Sequence, residues 1–225
     1  MKKRQFFAAI TVMMLALVMV FSFVACNGGN DDDPANIKGE EVTAEQWVKA
    51  FDFSDVTNVT TTSVTSGKDD GVDFKSTSLM EYDGDKMHYK RTYEYTDEDG
   101  EKQENVYEYY MLKEDNKVYE YEYDEYEKQW NRDEIQYDGN WNIGSFPFAN
   151  DFAKFTYDKS KKGYVATYDY DGESVAVLIK IKDGKFVYAE QSGKEDGEPM
   201  TVTVTISKIN STSITLPTIE ENSNN

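Results

Sequence analysis

One cysteine and one histidine are all that this 225-residue chain has of the residues that build disulfides, thiol nucleophiles and zinc sites. A lone cysteine cannot form an internal disulfide, so whatever folds must be held together by burial. His88 by itself cannot supply the several His or Cys ligands that zinc takes, and neither a Ser/His/Asp nor a Cys/His nucleophilic site is expected. Positive charge is scarce too: 24 Lys and Arg stand against 43 Asp and Glu, a formal net charge of −19. A field of that sign repels nucleic acid and anionic headgroups as direct ligands. Its simplest use is a solvated outer face that keeps a β-rich protein soluble. Carboxylates are abundant, but nothing in the sequence sets two of them in an apolar cleft, as acid–base tuning requires. The expectation is therefore of no catalytic residues, no metal, no cofactor and no enzyme. The run Asp97, Glu98, Asp99, Gly100, Glu101 lacks the twelve-residue spacing of an EF-hand and reads as a charged hairpin tip.

What is present begins with Lys2, Lys3 and Arg4, followed by apolar or small residues from Phe6 to Ala25. This has the form of a secretory signal over residues 1–25. It ends in Phe23, Val24, Ala25 and Cys26, which resembles the lipobox of bacterial lipoproteins, with Phe23 where leucine is usual. The resemblance implies cleavage before Cys26, a lipid on that cysteine, and an outward-facing position on the bacterial cell membrane. Two alternatives stand beside it. About 20 apolar residues also suffice for an uncleaved spanning helix, oriented by its basic flank with the N-terminus inside; ordinary cleavage would release the chain. The placement of the sole cysteine at the hydrophobic boundary favours lipidation. Residues 26–39, rich in Asn, Gly and Asp, have nothing to bury and read as a flexible tether, and 218–225 read as a disordered tail. Residues 40–217 are left for a single β-rich domain.

That domain opens with a helix start: Thr43 as N-cap, Gln46 closing a capping box, and Val42 with Trp47 as a hydrophobic staple. Trp47, Val48, Phe51 and Phe53 are the expected buried stripe. From Thr57 the apolar period becomes two, punctuated by seven Asp-Gly dipeptides that mark hairpins. A turn at Asp83–Gly84 sets Met80 opposite Met87, Phe74 opposite Tyr93 and Val72 opposite Tyr95 on an apolar face. It puts His88 opposite Leu79 on the other face, as a surface residue. Turns at Asp171 and Asp183 pair Tyr168 with Val175, Ala166 with Val177, Tyr164 with Ile179, Ile181 with Phe186 and Ile179 with Tyr188. A turn at Asp115–Asn116 pairs Leu112 with Tyr119 and Tyr110 with Tyr121, the side taken as inner. Met200, Val202, Val204 and Ile206 alternate in a later strand, and Ile214 with Leu216 form a last short one. The stretch from Asp133 to Ala153, with Trp141, Phe146, Phe148 and Phe152, lacks strand pattern and reads as a lid segment.

The fold expected is mainly β: a curved antiparallel sheet or half-barrel of about 10–12 strands with an N-terminal helix and a mid-chain lid. A lipid cysteine, a polar tether, a helix and antiparallel strands interrupted by a lid are similar to the LolA, LolB and LppX superfamily of lipoprotein carriers, over residues 40–217. The resemblance implies an unclosed barrel whose concave face takes a lipid or another apolar or amphipathic ligand. The candidate ligand-binding residues are Phe74, Tyr93, Tyr110, Tyr119, Tyr121, Trp141 and Phe148. The tyrosines equally suit core filling, and the alternation of Tyr with acids from Tyr107 to Tyr126 suits a surface that meets protein or glycan partners. Lipidation is directly testable: labelled palmitate is expected to enter the chain and to be lost in Cys26→Ser, and an unchanged label in that variant would refute it.

Overall fold

The computed structural model describes residues 37–219 apart from 70, 98, 138–146, 171 and 196. The signal, Cys26, most of the tether, Trp141 and most of the tail therefore lie outside the described residues. Among the described residues no helix is long and apolar enough to cross a membrane.

The helix α1 spans Ala44–Ala50, and its capping box is formed: Gln46 N donates to Thr43 Oγ1 at 3.3 Å, and Thr43 N donates to Gln46 Oε1 at 2.9 Å. Its buried residues differ from the expected stripe in one place. Val48 is 52% exposed and Ala50 fully buried, because from Trp47 the inward positions are three and four residues on, Ala50 and Phe51.

Eleven antiparallel strands follow: β1 (Asn58–Asp69), β2 (Val72–Asp83), β3 (Lys86–Thr96), β4 (Lys102–Glu114), β5 (Lys117–Asp124), β6 (Gln129–Ile135), β7 (Thr156–Asp158), β8 (Gly163–Tyr170), β9 (Glu173–Lys182), β10 (Lys185–Glu195) and β11 (Glu198–Ser207). They form one open sheet in the order β6-β5-β4-β3-β2-β1-β11-β10-β9-β8-β7. The chain thus starts at the centre, steps outward by hairpins to one edge, crosses to the other edge through residues 136–155, and returns to pair β11 with β1. The crossing carries two short 3-10 helices, Pro147–Asn150 and Phe152–Lys154.

Turn chemistry sets the register. Asp115 and Asn116 both take positive φ, 52° and 62°, as do Asp183 and Gly184 at 53° and 71°, which matches the right-handed twist of the strands they join. The expected pairs around Asp171 are all formed, and around Asp115 they form as far as Tyr109 with Glu122, where β4 and β5 part before Tyr107 would meet Asp124. The β2–β3 loop differs by one residue, being Gly84–Asp85, held by Gly84 N to Thr57 O at 3.1 Å and Lys113 N to Asp85 O at 2.8 Å. Every pair shifts by two as a result: Tyr82 faces Met87, Phe74 faces Tyr95, and His88 faces Glu81 instead of Leu79. Such a shift keeps each side chain on its expected face. In β10 a bulge between Phe186 and Tyr188 puts Ala189, not Tyr188, opposite Ile179. The extra residue turns Tyr188 to the outer face, where its hydroxyl donates to Glu190 at 2.7 Å and Lys180 lies over its ring. Ile214 and Leu216 form no strand. Side chains replace a ladder there: Asn58 Oδ1 accepts from Thr212 N at 2.9 Å, and Asp83 Oδ2 from Ile214 N at 3.0 Å.

The inner face of the sheet is apolar near one end, where Val59, Met80, Met87, Met111, Ile179 and Ile206 are buried. Helix α1 and the crossing cover it, with Trp47 as the plug. Its ring meets Phe51, Phe155 and Tyr164 at 5.0–5.1 Å, and its Nε1 donates to Phe148 O at 2.9 Å. Trp47→Ala should cost about 3–5 kcal/mol, read as a lowered urea midpoint; near-parental stability would show that the cover is not held by this residue.

Candidate functional site: the uncovered half of the inner face

Beyond the plug, the inner face continues along β1–β6 without α1 above it, and its composition changes. The inward positions of β2 are Ser78, Ser76 and Phe74; those of β3 are Tyr89, Arg91, Tyr93 and Tyr95; those of β4 are Tyr109, Tyr107, Asn105 and Gln103. Tyr89 and Tyr109 face each other in register and stack with centroids 4.3 Å apart, while Tyr107 meets Tyr89 edge-on at 5.5 Å. Further along, Phe74 stacks with Tyr93 at 6.0 Å. Strand β5 pairs with β4 only from Tyr109 to Glu114, so residues 102–108 are laddered on β3 alone and Tyr107 is 47% exposed. Burial raises the pKa of the Tyr89, Tyr107 and Tyr109 hydroxyls, and the carboxylates of Glu120 and Glu122 add to the effect at Tyr107. Burial likewise raises Glu120, with Glu122 and Asp133 contributing. The tyrosines are thus neutral hydroxyl donors on apolar rings, suited to an amphipathic surface. Where β2, β3 and β4 end, a cleft of about 390 Å³ opens among Phe74, Lys75, Glu94, Tyr95, Gln103 and Glu104.

The expected site residues fall in several places. Phe74 and Tyr93 lie on this uncovered half-face. Phe148 is buried beneath the crossing, at the plug. Tyr110, Tyr119 and Tyr121 lie on the outer face, opposite to expectation, because Met111 and Val118 are the residues of that hairpin that enter the core. Tyr89, Arg91, Tyr107 and Tyr109 were not singled out as ligand residues. Met87 and Tyr89 share the apolar face by alternation, but carrying it into β4 requires the length of the β3–β4 loop: it runs over 97–101, whereas a two-residue turn at Asp99–Gly100 would set Tyr110, not Tyr109, opposite Tyr89.

The outer face carries a separate polar cluster. His88, 8% exposed, is clamped between Glu81, 2.9 Å from Nδ1, and Glu108, 2.9 Å from Nε2, with the Tyr110 ring stacked on it at 4.2 Å. Thr60 bonds Glu81, and Lys90 pairs with Glu108 at 3.1 Å. Its burial corrects the expectation of a surface histidine, and follows from the shifted register. Burial would push the imidazole pKa down, but hydrogen bonds to Glu108 and Glu81 outweigh it and the net shift is upward. The hydrogen bond from His88, opposed by burial and helped by Lys90, holds Glu108 at about 2. Both ring nitrogens can donate only in the imidazolium, so the clamp selects the charged form. Among the described residues no group of three His, Cys, Asp or Glu side chains is placed to hold a metal ion.

Fold and face together define a mainly β protein built on one open antiparallel sheet with a half-covered inner surface. No protein-family model matches the chain, and no curated protein does. Among solved structures it is similar to a DUF1329 family protein from Desulfovibrio piger, at 11% identity over 78% of this chain and 92% of that one, with a TM-score of 0.17. A superposition that loose transfers neither site nor function.

As a stability effect, the raised His88 pKa works in one direction: its contribution is complete below the unfolded value of 6.5 and fades as pH rises through the folded value. Since His88 is the sole histidine, its imidazole NMR signal is unambiguous, and its midpoint should lie above 6.5. His88→Gln should lose most stability below that pH, with the gap narrowing as pH rises. A midpoint at or below 6.5 would contradict the clamp.

Proposed function

We propose that this chain is an exported, lipid-anchored binding protein, not an enzyme, that holds an amphipathic ligand such as a lipid on the uncovered half of its inner face. The anchor rests on the basic, apolar and Cys26 sequence of the N-terminus. The ligand site rests on one observation: among the described residues, Trp47 and residues 147–155 lie over one end of the inner face, while the other end carries Phe74, Tyr93, Tyr107, serines and one arginine. Aromatic faces with neutral hydroxyls serve a molecule that is apolar along most of its length and polar at one end. In this reading the membrane is the one fixed partner, through the lipid, and the domain works outside the cytoplasm.

The outer face supports a rival reading as an adhesive or structural surface. There Tyr110 meets Trp130 at 5.4 Å, Trp130 meets Tyr123 at 5.5 Å, and Arg132 lies 3.8 Å above the Tyr119 ring, a continuous aromatic strip suited to protein or glycan partners.

Two exposed tyrosines separate the readings. Tyr107→Ala should weaken binding of a fluorescent fatty acid roughly fivefold, whereas Tyr123→Ala, on the outer strip, should leave it unchanged. The reverse pattern would move the site to the outer face, and no binding by the parent chain would remove the proposal.

A further inference from the structure

We propose that Arg91 anchors the head group of the ligand, and that the ligand is accordingly an amphiphile ending in a single carboxylate. The inference rests on the reading of the uncovered half-face as a binding surface, and names what that surface selects.

Basic side chains are scarce in this protein, and several of them are visibly paired. Lys49, Lys90, Lys117, Lys128, Arg132 and Lys185 each lie 2.6–3.1 Å from a carboxylate. Arg91 is not among them, unlike Arg132, the other described arginine. With 43 acidic residues in the chain, it has no carboxylate partner among the described residues, and its one hydrogen bond runs from Nε to Ser76 Oγ at 3.1 Å. That bond fixes the plane of the guanidinium and leaves both Nη groups without a protein partner among the described residues. In register it stands between Ser78 of β2 and Tyr107 of β4, exposed on the inner face. Among the described residues the inward positions of β1–β6 carry one other basic side chain, Lys113, at the far end of β4 beyond Met111.

A planar fork with two free donor groups matches a carboxylate in a bidentate pair. The phosphate of a monoester would match it too, but Glu120, Glu122 and Asp133 line the same face on β5 and β6. Their field opposes a second negative charge on the ligand and so favours the monoanion. The apolar remainder has surfaces beside Arg91: the Tyr107 ring, 47% exposed and directly across on β4, and the Phe74–Tyr93 stack toward the strand ends. An alkyl chain covering those rings would also exclude water from the ion pair and strengthen it.

The test is displacement of a fluorescent fatty acid from the full chain at neutral pH by palmitate, by methyl palmitate and by hexadecyl phosphate, which share one chain length. Palmitate should compete about tenfold or more better than either of the others. Arg91→Gln should abolish that preference, and Arg91→Lys should keep part of it; since Arg91 is exposed, both variants should show the parental circular dichroism. Equal competition by acid and ester, a preference for the phosphate, or parental palmitate affinity in Arg91→Gln would overturn this inference while leaving the binding surface standing. A parent chain that binds neither the probe nor any of the three amphiphiles would overturn the binding surface, and the inference with it.

Discussion

Eight residue pairs join β1 to β11, from Thr60 with Ser207 to Gly67 with Met200, and they bring together strands from the two ends of the domain. Closing so long a loop carries an entropic cost before any contact is gained. Once the pair stands at the centre of the sheet, the middle of the chain must occupy both edges. The connection between β6 and β7 then has to cross the inner face. Its described part from Pro147 onward lies at the apolar end, where Phe148, Phe152 and Phe155 close over Trp47. The covered half of the face and the uncovered half are two consequences of that one pairing.

Tyrosine serves both halves and both faces because its ring is apolar and its hydroxyl polar. Tyr164 closes the covered end, its hydroxyl accepting from Val42 N at 2.6 Å and donating to Val42 O at 2.7 Å. Tyr107 stands exposed beyond the core, Tyr89 and Tyr109 stack where the inner face meets it, and Tyr110 stacks on His88 on the outer face. The acids do related work outside. Glu81 and Glu108 keep a proton on His88, and Lys75 with Glu94 and Lys117 with Glu134 bridge neighbouring strands. Exposed pairs of that kind contribute little to stability, so the sheet depends mainly on its plugged end.

Much of the fold was legible from turn residues and from period two. Helix α1 begins where its capping box says, and the hairpins at Asp115 and Asp171 have the pairs that a two-residue turn demands. The departures share a cause: each depends on one residue more or less in a loop or strand. At Gly84–Asp85 the turn slips by one position and every pair moves by two, which preserves the faces but gives His88 its glutamate. In β10 one bulged residue turns Tyr188 outward. The candidate face was only half legible, with Phe74 and Tyr93 on the inner face as expected and Tyr110, Tyr119 and Tyr121 on the opposite one. Alternation of Tyr with Glu gives both sides of β4 and β5 similar polarity, so pattern alone cannot choose between them.

Local sequence by itself determined the helix start, the positions of the hairpins and which residues share a face within each, because these depend on capping, on φ and on the two-residue repeat of a strand. Tertiary structure alone decided which face turned inward in the β4–β5 hairpin, how much of that face was covered, and that Arg91 stands among tyrosines without a carboxylate. Those outcomes depend on what packs above the sheet and on neighbours distant in the chain, and no local pattern carries that information.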